Sequence, residues 1–213
     1  MTRPAPALLK PRKTPQQTRS AATIGAIHEA TIQVLLAEGA GRLTTTRVAE
    51  RAGVSVGTMY QYYPHKQALL YAIVDRHLQT IMDAMMAAAE RLTGSDLAVV
   101  AEGLATAWLD AKTADMVASR AIYAIASDFD LTEVMARGMK LMTNVIATLL
   151  AAAPDARFAR RDAVAFMLAA MLGGSVRVVM ESSPTDEDFA CLRQELPRAC
   201  HAYLVAANGV ADR

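Results

Sequence analysis

Cysteine is almost absent: the chain has two, Cys191 and Cys200, nine positions apart. On one continuous helix they would stand about 13 Å apart along the axis and on opposite sides, beyond disulfide reach. A disulfide framework is excluded, and reduced thiols are expected. The four histidines, His28, His65, His77 and His201, form no i, i+4 pair. With no paired-cysteine motif beside them, no metal site is expected and no cofactor is implied. Aromatic residues are also few, at 5%, and no β-rich run occurs that would build a sheet. Long apolar runs are missing too. The longest charge-free apolar stretch, Ala163 to Val176, has 14 residues and contains Gly173 and Gly174, too few to span a bilayer. The start, MTRPAPALLKPRK, is broken by proline and lacks the apolar region of a signal peptide. A cytoplasmic location without a membrane partner is the expectation.

What is abundant is alanine, leucine and methionine, within a hydrophobic share of 53%. That composition favours helices, so the predicted class is all-α. The net charge of +1 hides an asymmetry. Residues 1–66 carry 9 Lys or Arg against 3 acids, net +6; residues 67–213 carry 13 against 18, net −5. Phosphate binding needs positive charge locally, not over the whole chain, and the first third supplies it.

The basic end also holds the most informative stretch, Leu43 to Leu70, LTTTRVAERAGVSVGTMYQYYPHKQALL. Thr44 or Thr45 can cap a first helix, because a hydroxyl accepts from backbone N–H groups two or three residues on. Val48, Ala49 and Ala52 give that helix an apolar face. Gly53 ends it with the left-handed conformation that a sharp turn needs, and Val54 can plug the gap between helices. Ser55 caps a second helix, in which Met59 and Tyr63 share the inward ridge while Val56, Gly57, Thr58, Tyr60, Gln61 and Tyr62 lie on or near the open side. Pro64 stops it. The spacing predicts a helix-turn-helix, the element that lays a helix into the major groove of DNA.

These residues resemble the DNA-binding segment of the tetracycline-repressor (TetR) family of bacterial regulators. The resemblance is carried by Thr44, Thr45, Val48, Ala49, Ala52, Gly53, Val54, Ser55, Gly57, Thr58, Tyr60, Tyr62, Tyr63, Lys66 and Leu69. Val48 stands for the commoner isoleucine and Tyr63 for the commoner phenylalanine; if buried, the Tyr63 hydroxyl needs a hydrogen-bond partner. The resemblance implies that Thr45, Thr58, Tyr60 and Lys66 hold phosphates, and that Thr46, Val56, Gly57, Gln61 and Tyr62 approach bases, with Ser55 on the same surface. Val56 can meet a thymine methyl and Gln61 an adenine edge. Arg47 is the candidate for guanine.

A rival motif overlaps this one: Gly53-Val54-Ser55-Val56-Gly57 satisfies G-x-S-x-G, the nucleophile elbow of α/β hydrolases. Its context argues against it. The preceding TTTRVAERA has helical periodicity, and no acid and histidine pair stands out as triad partners. The chain is not expected to be an enzyme.

Along the chain, residues 1–17 hold four of the eight prolines and read as a flexible basic arm. Residues 18–64 form the helix-turn-helix domain and 65–213 a larger helical body. Helices are predicted near 18–38, 65–92, 96–112, 115–127, 131–152, 160–182 and 186–207, with Ser95 as a cap and Pro197 as a kink or a true start. With the motif this makes about nine, the number usual in the TetR family, where the later helices bind a ligand and dimerise. A short recognition helix touches few base pairs, so two copies on a palindromic operator are expected. The last two helices are the natural interface. Ala163 to Val179 is apolar nearly all round, and Phe189, Leu192, Leu196, Ala199, Tyr203, Leu204 and Ala207 form a stripe. Candidates for an effector pocket are Trp108, Met116, Tyr123, Phe129, Met135, Met139, Met142, Phe166, Met167 and Met171, with His77, Arg120 or Arg177 as orienting polar groups. The leading expectation is a repressor released by a small, largely apolar molecule. The alternative is a DNA-binding scaffold or partner-regulated protein without such an effector.

Overall fold

The computed structural model describes residues 18–126, 132–182 and 185–209. Among these are nine α-helices: α1 (Thr18–Glu38), α2 (Thr45–Ala52), α3 (Val56–Tyr62), α4 (Lys66–Leu92), α5 (Leu97–Thr113), α6 (Met116–Ala126), α7 (Thr132–Ala152), α8 (Arg161–Glu181) and α9 (Asp186–Ala207), with a short 3-10 turn, Ala40–Arg42, after α1. No strand occurs among the described residues. The predicted all-α class and helical order hold. The arm at residues 1–17 and the pocket candidate Phe129 lie outside the described residues.

Local chemistry sets the helix ends. Thr44 Oγ1 accepts from Arg47 N (3.2 Å) and starts α2, while Ser55 Oγ accepts from Thr58 N (3.0 Å) and starts α3. The cap of α5 is Asp96, not Ser95: its carboxylate accepts from Val99 N at 2.9 Å, and a charged acceptor there also complements the positive end of the helix dipole. Thr185 and Asp188 cap α9 reciprocally. Pro197 neither starts nor ends α9. It forfeits the one intrahelical N–H it cannot donate, and packing on both sides carries the helix through.

The described chain divides into two compact units, residues 1–77 with 120–134, and residues 78–119 with 135–213. The first unit keeps the opening turns of α4, because Ala68, Leu69, Leu70, Ile73 and Val74 are buried. In this unit α1 packs on α2 and α2 on α3. Ile27, Leu43, Val48, Met59 and Tyr63 are sealed from solvent. The Tyr63 hydroxyl finds its partner 35 residues back in the chain: it shares a 2.7 Å hydrogen bond with His28 Nε2. Burial, aided by the nearby Arg76 charge, pushes the His28 pKa down to about 4, and burial pushes the Tyr63 phenol up to about 12.

In the second unit α5 lies against α9 and α8, and α8 against α9. Leu104, Leu109, Ile146, Leu172 and Leu204 are among its buried side chains. Gly103 lets the end of α4 come close, since a Cβ there would stand 2.5 Å from Leu92 Cδ2. The loop after α7 is a clasp. Asp155 accepts from Leu97 N (3.0 Å) at the start of α5, and its carbonyl accepts from Asn208 Nδ2 (3.0 Å) just past α9. Arg193 on α9 reaches Asp110 (2.7 Å) and Thr113 (3.1 Å) on α5.

His28 makes the first unit acid-sensitive. Its folded pKa, about 4, lies below the ordinary 6.5, so its stabilisation is full above pH 6.5 and is lost as pH falls towards 4, a swing on the order of 3 kcal/mol. Urea unfolding at stepped pH should show this slope, and His28→Asn should flatten it; an unchanged slope in the variant would assign the acid sensitivity elsewhere.

Candidate nucleic-acid interface

The turn between α2 and α3 rests on Gly53, which sits at φ 67° and ψ 27°, with its N–H aimed at the carbonyls of Ala49 and Glu50. Val54 N donates to Ala49 O at 3.0 Å, closing the end of α2, and the Val54 side chain is half-buried between the helices. Met59 and Tyr63 point inward as their spacing predicts. Outside, Thr46, Arg47, Ser55, Val56, Gly57, Tyr60 and Gln61 are exposed and Thr58 is half-buried. These residues form one surface, rich in hydroxyl, amide and aromatic edges.

Gly57 is the notable member. Its φ is not positive, and a Cβ there would touch only Ser55 Oγ at an ordinary 3.8 Å. Nothing within the chain requires glycine, although glycine inside a helix costs about 0.5–1 kcal/mol relative to alanine.

Three cations of this unit are engaged within it. Arg47 pairs with Glu38 and also donates to the Arg42 carbonyl at 3.3 Å. Arg51 Nε donates to Gln33 Oε1 at 2.7 Å. Lys66, half-buried at the start of α4, donates through Nζ to the Ala40 carbonyl at 2.9 Å. Tyr62 corrects the sequence expectation: it is 8% exposed and its hydroxyl donates to Ser20 Oγ on α1 at 3.3 Å. Adjacent to Tyr63 in the last turn of a seven-residue helix, it is pulled inward with it. Thr45 is buried as well, its hydroxyl 3.5 Å from that of Tyr60. The hydrolase motif has no strand before it; Ser55 follows α2 and is engaged as a helix cap.

Two family models match the chain: "Bacterial regulatory proteins, tetR family" at residues 27–73, and "Tetracyclin repressor-like, C-terminal domain" at residues 96–204, more than half of the chain. The chain belongs to the TetR family. Among solved structures it is similar to a TetR-family transcriptional regulator from Mesorhizobium loti MAFF303099 (TM-score 0.70, 16% identity, 90% of this chain and 100% of that one). It is also similar to SmeT in its complex with triclosan (TM-score 0.66, 20% identity, 90% and 98%). At such identities the likeness is one of fold. Among curated proteins it is 36% identical over 64 residues to the nucleoid occlusion factor SlmA of Haemophilus ducreyi, 30% of this chain and 32% of that protein. The match thus spans about a third of that relative's length.

As a member of the TetR family the protein is a DNA-binding transcription regulator. Its effector candidates separate. Trp108 is buried, Met116, Tyr123, Met171 and His77 are half-buried, and Arg120 is exposed. Phe166 (52% exposed) and Met167 point outward on α8, against the expectation that they line a pocket, and Met139 on α7 is 36% exposed with its Cε turned towards Gly173. The physical reason lies in α8, which is apolar on every side. Its buried ridge is Val164, Leu168, Leu172 and Val176, and periodicity cannot choose between equally apolar faces. Of the α9 stripe, Leu196 and Leu204 are buried within the chain, Phe189, Leu192, Tyr203 and Ala207 are half-buried, and Ala199 faces out. α7 and α8 are long and apolar enough to cross a membrane by length and composition; both lie within the match to the family's C-terminal domain at residues 96–204.

Two buried polar residues of this region, Lys112 and Ser119, were not singled out from the sequence. Lys112 follows Trp108 by one turn, in line with Leu104 and Leu109, and a lysine on an otherwise apolar helical face is a readable signal.

Gly53→Val forces a β-branched residue into a left-handed conformation. A loss of roughly 1–3 kcal/mol is expected, read as a lower thermal midpoint together with weaker operator binding; a neutral substitution would mean that the turn adapts.

Proposed function

We propose that the protein is a homodimeric repressor. Each copy presents the exposed side of α2 and α3 to one half of a palindromic operator, and binding in the cytoplasm is relieved by a small, largely apolar molecule held in the second unit. Gly57 carries the DNA half of this reading: its missing side chain serves no contact within the chain, so it suits the approach of a nucleic-acid backbone to the helix. Around it Val56 meets a thymine methyl, Gln61 an adenine edge and Arg47 a guanine, while Thr58, Tyr60 and Lys66 hold phosphates. Tyr62 and Thr45, buried, support the surface from beneath. Lys66 lies at the N-terminus of α4, the end of a helix that favours an anion.

Gln61→Ala should relax choice at one base pair of each half-site by about 1–3 kcal/mol, and Lys66→Ala should weaken all duplexes alike and lower the salt slope by about one per half-site. Binding isotherms on matched and scrambled duplexes check this. Equal effects of both variants on scrambled DNA would end the division of labour.

The dimer follows from α8 and α9. Phe166, Met167 and Val178 on α8, the last 71% exposed, and Val205 on α9 leave large apolar surface open. Gly174 is exposed on the same face of α8 and lets a second backbone come close. Phe166→Arg combined with Val178→Asp should give a monomer by analytical ultracentrifugation, with operator affinity down roughly a hundredfold because only one half-site is held. A dimer that survives both charges would move the interface elsewhere.

Release requires the effector to bind better to the conformation in which the recognition helices no longer match the half-sites. A partner protein in place of a small molecule is the second reading, favoured by the likeness over 64 residues to a nucleoid occlusion factor. Reporter induction by a small-molecule panel in cells, followed by release from purified operator, separates the two.

A further inference from the structure

Arg47 stands in the first turn of α2, where side chains lean towards the start of the helix, and both acceptors it meets come from the chain just before that start. Through Nη1 its guanidinium pairs with the Glu38 carboxylate at the end of α1 and donates to the Arg42 carbonyl at 3.3 Å. A guanidinium has five N–H groups, two on each Nη and one on Nε. These two side-chain contacts engage Nη1 alone, so the edge formed by Nε and Nη2 keeps a parallel pair of donors. The side chain is 47% exposed, which leaves that edge open to an incoming acceptor. Arg51, one turn on, differs: its Nε donates to Gln33 Oε1 at 2.7 Å, and the same edge is thereby occupied.

An exposed ion pair contributes little to folding. Beside DNA this one has two other consequences. A phosphate attracts arginine chiefly through charge, whereas guanine presents two neutral acceptors, O6 and N7, spaced for a bidentate donor. With its charge answered by Glu38, Arg47 has less attraction for phosphate and keeps the geometry that suits guanine. Holding one end of the guanidinium also removes rotamer freedom before DNA arrives, so less is lost on contact.

We propose that Glu38 is a positioning residue that sets specificity: with the Arg42 carbonyl it holds Arg47 so that Nε and Nη2 meet O6 and N7 of one guanine in each half-site and are withheld from phosphates. Glu38 acts only through Arg47. The inference rests on the reading of Arg47 as the guanine contact and names the residue that makes that contact selective.

The test uses the full-length protein, a duplex that the unmodified protein selects from a randomised pool, and a scrambled duplex of the same length. Each guanine of the selected half-site is replaced in turn by 7-deazaguanine, which lacks the N7 acceptor. One position should lose about tenfold in affinity with the unmodified protein, about twofold with Glu38→Gln, and nothing with Arg47→Met. On the scrambled duplex Glu38→Gln should bind about threefold more tightly, with the salt slope steeper by about one per half-site, because the released arginine now takes a phosphate. Its thermal midpoint should stay nearly unchanged, which a merely structural role for Glu38 would not allow. The proposal is overturned if Glu38→Gln keeps the full 7-deazaguanine loss, if its effects persist when Arg47→Met is also present, or if no guanine responds in the unmodified protein. Loss of affinity with Gln61→Ala but none with Arg47→Met would leave the reading of α3 standing and remove Arg47 and Glu38 from it. Failure to select any duplex would instead overturn the operator reading itself.

Discussion

The hydrogen bond between His28 and Tyr63 is the contact on which the DNA-reading surface depends. The recognition helix α3 has seven residues, too few to be stable alone. It keeps its place because Met59 and Tyr63 are buried beneath it and because the Tyr63 hydroxyl is held by a side chain of α1. Phenylalanine would satisfy the packing; tyrosine adds a polar tether whose direction is set. The outer face of α3 therefore has one orientation.

Two kinds of constraint meet in the helix-turn-helix. Capping and the Gly53 turn are local: they follow from backbone N–H groups needing acceptors and from the freedom of glycine at positive φ. Burial is non-local, and it moves residues that local rules leave open. Tyr62 shows the difference, since helical spacing allows it outward while the presence of α1 and Ser20 draws it in. The exposed set that remains, with Val56, Gly57 and Gln61 at its centre, is smaller than spacing suggests.

The second unit has the opposite balance. Its helix α8 is apolar on nearly every side, so which face it buries is decided by pairing. Asp155, Asn208 and Arg193 supply specific polar clasps around α5 and α9, while Gly103 admits a close approach of Leu92.

The sequence by itself determined the helical class, the order and nearly all limits of the helices, the left-handed turn at Gly53, the capping serine and threonine, and membership of a DNA-binding family. These are legible because they depend on periodicity, on turn chemistry and on residues close together in the chain. Only the tertiary structure decided that Phe166 and Met167 face out, that Tyr62 and Thr45 face in, and that His28 answers Tyr63 across 35 residues. A helix apolar all round carries no mark of its inner side, and a hydrogen bond between distant residues leaves no trace in spacing. Which side is buried is set by the neighbours, and the neighbours exist only once the chain has folded.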